Sequence, residues 1–125
     1  MTVLLLQHEE TVRLEPSRLA ELYLKYGEDR AERLLSEAVE DIALALSRLS
    51  RLGPHGSLTE IADIALGLSE NATQCGMLDL ANVAISVRKA AAQIDLAALG
   101  ATMARVSRVG DRSLAAIWGP CNAQI

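Results

Sequence analysis

Residues 28–52 read EDRAERLLSEAVEDIALALSRLSRL, and this stretch decides the fold class. Apolar side chains recur in it at alternating steps of four and three residues: Ala31, Leu35, Ala38, Ile42, Ala45, Leu49 and Leu52. This spacing is the period of an α-helix with one apolar face, whereas a half-buried strand alternates every second residue. Acidic and basic residues fill the intervening positions. We therefore predict a long amphipathic helix from about Glu28 to Leu52.

Helix-ending residues mark the limits of this helix and of a shorter one before it. Pro16 suits the first turn of a short helix, because the N–H that proline lacks would have no partner there. That helix is predicted to end near Tyr26, where Gly27 closes it. Residues 53–56, GPHG, end the long helix.

Three further helices are predicted in the second half of the chain. Ser57 and Glu60 stand three residues apart, which is the spacing of a capping box. Asp95 is a suitable N-cap for the last helix. The predicted limits are Ser57 to Gly76, Met77 to about Ala92, and Asp95 to the pair Gly119–Pro120, with apolar stripes of helical period in each.

Four substantial helices joined by short connections can hide their apolar stripes only against one another. We therefore predict an all-α fold, an antiparallel up-down-up-down four-helix bundle with a short extra N-terminal helix. Residues 1–125 are expected to form a single domain, in which residues 1–15 are irregular or weakly extended and cap one end. Gly110 costs its helix about 1 kcal/mol relative to alanine, and any kink is expected there.

The balance of charges argues against nucleic acid as a partner. Sixteen acidic and twelve basic residues give a net charge of −4, and only 2% of the residues are aromatic. A nucleic-acid binder usually needs a basic surface and stacking side chains. The apolar run from Val3 to Leu6 is too short for a signal peptide or a membrane span. We predict a cytoplasmic protein that binds neither nucleic acid nor membrane.

The chain lacks a recognisable catalytic centre. Metal sites in helical bundles use Glu-x-x-His motifs, and none occurs. His8 precedes the helices and His55 lies in the GPHG loop, so both are expected to be solvated rather than to act as bases or ligands. Cys75 and Cys121 lack CxxC spacing and predict two reduced thiols, one of them buried. We expect no enzyme activity, no metal and no cofactor.

One large apolar side chain is predicted to face away from the core. At about 100° per residue, Leu66 lies roughly 140° from Ile61, the centre of its helix's apolar stripe. An apolar centre with a polar rim is how protein contact patches are built. The predicted partner-binding patch consists of Asp63, Leu66, Glu70, Thr73 and Gln74. The alternatives are that Leu66 is a harmless exposed leucine or that the short N-terminal helix covers it.

The segment 61–87, IADIALGLSENATQCGMLDLANVAISV, follows a short helix and a long helix and precedes an Asp and a final helix. This order resembles the histidine phosphotransfer (HPt) domain family, whose motif has the form A-H-x-L-K-G-S-A followed by a Gly-hydrophobic pair. Aligning on Gly76 and Met77 sets residues 65–70, ALGLSE, against A-H-x-L-K-G. Ala65 and Leu68 match the motif.

The residues that carry phosphotransfer in that family are the ones that differ. Leu66 takes the place of the phosphorylated histidine, and leucine has no nucleophile. Ser69 takes the place of the lysine whose cation would neutralise phosphate, and Glu70 adds a negative charge where the family has glycine. The resemblance therefore implies an HPt-like domain that does not pass phosphate through this position.

Three hypotheses follow. The leading one is a non-catalytic, HPt-like signalling or adaptor domain that binds a receiver domain or histidine kinase of a two-component system without carrying phosphate. The alternative is a structural bundle that self-associates, so that a second copy, as in a homodimer, completes its apolar stripes. The third is an active phosphotransfer protein that uses His8 or His55.

Overall fold

The structure is a computed structural model that describes the backbone of residues 12–123 and the side chains of residues 12–117. Within that part the chain forms five α-helices: α1 (Pro16–Tyr26), α2 (Glu28–Leu52), α3 (Leu58–Gln74), α4 (Leu78–Ala92) and α5 (Leu96–Ala123). The predicted all-α class is confirmed for these residues. The limits of the first four helices agree with the predicted limits to within two residues.

The helices pack as a bundle around one buried cluster to which all five contribute. α3 packs against α2 and α4, while α5 packs against α4 and, less extensively, against α2. α1 rests mainly on α2. The predicted stripes of α2, α3 and α4 line the core, and its largest fully buried side chains include Ile42, Leu49, Ile61, Leu68, Met77, Leu80 and Leu99.

Two of the predicted N-caps are present. The backbone N–H of Ala98 donates to Asp95 Oδ1 at 3.1 Å, and the N–H of Glu60 donates to Ser57 Oγ at 3.3 Å. The reciprocal half of the predicted capping box is replaced by a different contact. Glu60 Oε2 lies 3.6 Å from Arg48 Nη2, because the long glutamate side chain reaches across to α2.

The last helix begins after Asp95 as predicted, but its C-terminal limit and the burial of its first residue differ from the prediction. α5 continues past Gly119 and Pro120 to Ala123. Proline has a helical φ and removes only one intrahelical hydrogen bond, so it does not by itself forbid a further turn. At the other end, Leu96 is 52% exposed although the apolar stripe included it. It is the first residue of α5, where the helix has not yet come alongside the core.

Gly110 is a site of close helix packing. α5 runs through it without interruption, and the glycine is buried. A Cβ at this position would lie 2.6 Å from Leu46 Cδ1 on α2. At Gly100, on the same helix, a Cβ would meet no heavy atom within 4 Å. The missing side chain therefore lets α2 approach α5 at Gly110 and has no such role at Gly100.

Residues 12–15 lie across the connection between α3 and α4. Leu14 pairs with Met77 in an antiparallel bridge, and the N–H of Glu15 donates to the carbonyl of Gly76 at 2.8 Å. The N–H and the guanidinium of Arg13 both donate to the carboxylate of Asp79, at 2.9 and 3.2 Å. This segment covers one end of the bundle as predicted, while residues 1–11 lie outside the described part of the chain.

Replacing Gly100 and Gly110, two of the glycines of α5, separates helix propensity from packing. Gly100→Ala should raise the free energy of unfolding by up to about 1 kcal/mol, because alanine is the better helix former and its methyl group meets no neighbour. Gly110→Ala should raise it by less or lower it, because Leu46 must move. Urea unfolding followed by circular dichroism measures both. Equal gains at the two positions would contradict the close packing at Gly110.

Asp79 should make the stability of the fold depend on pH. Although burial raises the pKa of this carboxyl, the hydrogen bonds and charge of Arg13, with the charge of Arg105, outweigh it and hold the pKa below its ordinary value of 3.8. A pKa that is lower in the folded chain stabilises the fold above pH 3.8, and that stabilisation is lost as pH falls through the folded-state pKa.

The measurement is the free energy of unfolding in urea as pH is lowered from neutral into this range. Asp79→Asn should flatten the decline on acidification. Arg13→Met removes the guanidinium but keeps the backbone N–H, so it should flatten the decline in part. An unchanged decline in Asp79→Asn would show that the Arg13 contact does not hold residues 12–15 in place.

Candidate partner-binding surface

Leu66 lies on the outer side of α3, midway along the helix. Its side chain is 37% exposed, the smallest value among the six large apolar side chains that are exposed in the described part of the chain. α1 meets α3 near Gln74, where Leu22 and Tyr26 border a shared groove. Gln74 is eight residues beyond Leu66, about 12 Å along the helix. The contact with α1 is therefore at the end of α3, and Leu66 remains accessible.

The five residues of the predicted patch lie along one ridge of α3. Asp63, Glu70 and Gln74 are exposed, and Thr73 is half-buried. Thr73 Oγ1 donates to the carbonyl of Ser69 at 2.8 Å, so its hydroxyl is engaged within the helix. Asp63 borders a groove towards α2, and Gln74 borders the groove towards α1. The patch is convex, with two concave regions beside it, and it suits contact with another protein better than enclosure of a small molecule.

Ser69 is directed into the core. It is 8% exposed, and its Oγ donates to the carbonyl of Leu66 at 2.7 Å. Ser69 occupies the position that the HPt resemblance assigns to a phosphate-neutralising lysine. The hydroxyl is satisfied within the helix, and it adds no polar group to the surface around Leu66.

A groove between α2 and α3 was missed by the sequence analysis. It measures about 230 Å³ and includes an exposed leucine, Leu44, among its lining residues. Leu44 is two residues after the buried Ile42, so it lies about 200° around α2 from the core. The angle around the helix that predicts an exposed Leu66 also predicts an exposed Leu44. What the sequence could not show is that α2 and α3 lie side by side there.

A second concave region, between α2 and α5, is mainly apolar. It measures about 260 Å³, and its walls include Leu46, Leu49, Met103 and the open position at Gly100. Leu49 and Met103 belong to the core, so the base of this region is the bundle interior. The lining contains no charged side chain.

Groups capable of acid–base, nucleophilic or metal chemistry are scattered over the described residues. Among residues 12–117 no three His, Cys, Asp or Glu side chains lie close enough together to hold a metal ion. His55 is exposed in the loop between α2 and α3. His8 and the side chain of Cys121 lie outside the described part. Cys75 is 1% exposed, and burial raises the pKa of its thiol to about 11.

Within residues 12–123, the helices are too short or too polar to cross a lipid bilayer.

Comparisons with protein-family models, with curated proteins and with solved structures found no match to this chain. The resemblance to HPt domains therefore rests on helix order and on the few motif positions that agree, and it stays a prediction.

Cys75 should be almost inert towards thiol reagents in the folded protein. The thiolate is the reactive form, and a pKa of about 11 leaves very little of it at mildly alkaline pH. In a Cys121→Ser variant, labelling by a chromogenic disulfide should be at least about a hundredfold slower in native buffer than in denaturant. Cys75→Ser provides the comparison in which only Cys121 reacts. Rapid native labelling of Cys75 would show that the end of α3 opens to solvent.

Proposed function

We propose that this chain is a non-catalytic adaptor domain that binds a protein partner through the outer face of α3, centred on Leu66. The observation that carries the proposal is the 37% exposure of this leucine within a ridge of polar side chains. An apolar residue with a polar surround supplies both contact area and a rim that excludes water. Because α3 packs against α2 and α4, the helix presents this ridge on a rigid support.

The partner class that we propose is a receiver domain or a histidine kinase of a two-component system, which would place the domain in the cytoplasm. Support comes from the order of the helices and from the place of Leu66 where an HPt domain has its phosphorylated histidine. Leucine cannot accept phosphate, and Ser69 is buried instead of supplying a cation beside it. The domain would then compete with or modulate phosphotransfer without taking part in it.

We also propose that α2 to α5 form an antiparallel up-down-up-down four-helix bundle, with α1 as the short extra helix. Three short connections support this arrangement: residues 53–57, 75–77 and 93–95. Helices that follow one another and pack along their lengths after such short connections must reverse direction. The contact between α5 and α2 closes the ring.

Self-association is the second candidate function. The observation in its favour is that Leu66 is one of several large apolar side chains exposed among the described residues; the others are Leu24, Leu44, Ile85, Ile94 and Leu96. A single exposed leucine needs no explanation, but a set of them on different helices offers surface to a second copy.

Leu66→Asp tests the adaptor function. It places a charge at the centre of the contact, so the affinity for the cognate receiver domain or kinase should fall at least roughly tenfold. Titration calorimetry with the purified partner measures this. Leu24→Asp makes the same substitution at a leucine that is 87% exposed on α1, and it should bind as the unmodified chain does.

Two results would contradict the proposal. One is unchanged affinity of Leu66→Asp for a partner that the unmodified chain binds. The other is the appearance of acid-labile phosphohistidine after incubation with a phosphorylated receiver, which would favour phosphotransfer through His8 or His55 instead.

A further inference from the structure

The groove between α2 and α3 contains a glycine that the folded chain does not need. Gly67 lies inside α3, where glycine costs about 1 kcal/mol relative to alanine. A Cβ built on it meets no heavy atom within 4 Å. By contrast, a Cβ at Gly110 would meet the side chain of Leu46. Gly67 therefore leaves an open notch in the wall of the groove, beside the exposed Leu44.

Charges of both signs flank Leu44 along α2. Asp41 precedes it by three residues and Arg48 follows it by four, and all three line the groove. Asp41 and Arg48 are about 10.5 Å apart along the helix, so they lie on either side of Leu44 rather than against each other. Arg48 is held near Glu60 at 3.6 Å, but both side chains are about half exposed. Such an exposed pair is weak and leaves Arg48 available to another partner.

We infer that this groove is the contact surface for a second copy of the chain, related by a twofold axis that passes near Leu44. A twofold rotation reverses the direction of α2, so Asp41 of each copy meets Arg48 of the other. Leu44 of each copy lies near the axis, and the notch at Gly67 gives the opposing leucine room. The α2 edge of the groove is thus complementary to itself in charge.

The mixed charges favour a second copy over an unrelated helix. A uniformly basic partner would meet Arg48, and a uniformly acidic partner would meet Asp41 and Asp63, so each would leave a like-charge contact. This inference deepens the self-association candidate and does not depend on partner binding at Leu66, which is outside the groove.

Sedimentation equilibrium of the full chain, from micromolar to submillimolar concentration at about 0.15 M salt, tests the inference. The expected result is a reversible change from the 13.4 kDa monomer to twice that mass. Leu44→Asp should raise the dissociation constant at least roughly tenfold, because it puts two carboxylates at the centre of the contact. Ala101→Asp, which places the same charge at an exposed position on α5 outside the groove, is the matched control and should leave the dissociation constant unchanged.

A reciprocal charge exchange tests the twofold geometry. Asp41→Arg alone and Arg48→Asp alone should each weaken association roughly tenfold, since each replaces two attractive pairs with two repulsive ones. Combining them should restore the affinity, because the pairs re-form with their signs exchanged. Arg88→Asp, a charge reversal at an exposed position on α4, should have little effect.

Gly67→Gln should raise the stability of the monomer and weaken its association. At concentrations where the chain is monomeric it should raise the midpoint of thermal unfolding, because glutamine is the better helix former. It should also weaken association, because its side chain fills the notch. A chain that stays monomeric over the whole range would overturn the inference together with the self-association candidate. A dimer in which the combined exchange fails to restore affinity would overturn only the surface that we infer.

Discussion

At Gly76 the backbone takes a φ of 77°, and a side chain there would lie 2.6 Å from the carbonyl oxygen of Glu15. Both the turn and the close approach therefore require glycine. The connection between α3 and α4 takes only residues 75–77, and the N–H of Met77 donates to the carbonyl of Ala72 at 2.8 Å. This turn lets α3 and α4 pack along their lengths, the most extensive contact between described helices.

The rest of the bundle follows from that pair. Cys75 and Met77 are buried beside the turn, and residues 12–15 are hydrogen-bonded across it. α1 begins directly after this segment, so its position at the end of α3 is set by the same contacts. α2 packs against α3, α5 packs against α4, and α2 and α5 meet where Gly110 allows a close approach.

The packing of α3 between two helices also decides what surface it can offer. One exposed side carries Leu66 and its polar neighbours, and the other side forms the groove with α2. The two surfaces share only Asp63. Among the described residues, His55 is exposed in the loop between α2 and α3, and Cys75 is buried.

Local sequence signals determined the helices and their caps. The caps at Ser57 and Asp95 depend on interactions within one helix turn. The period of the apolar residues and the short connections are read directly from a single sequence. The exposure of Leu66 was predictable for the same reason. The continuation of α5 beyond Pro120 was not, because a proline lowers the probability of helix without excluding it.

Only the tertiary structure decided what lies between helices. In the sequence, Gly67, Gly100 and Gly110 are all glycines inside predicted helices. In the structure, Leu46 packs against Gly110, whereas a Cβ at Gly67 or Gly100 would meet no heavy atom within 4 Å. Likewise, Glu60 was predicted to complete a capping box, yet its carboxylate turns to Arg48 on α2. Which residues of separate helices meet depends on their relative rotation and register, and these are set by the packing of the whole bundle rather than by any segment of the chain.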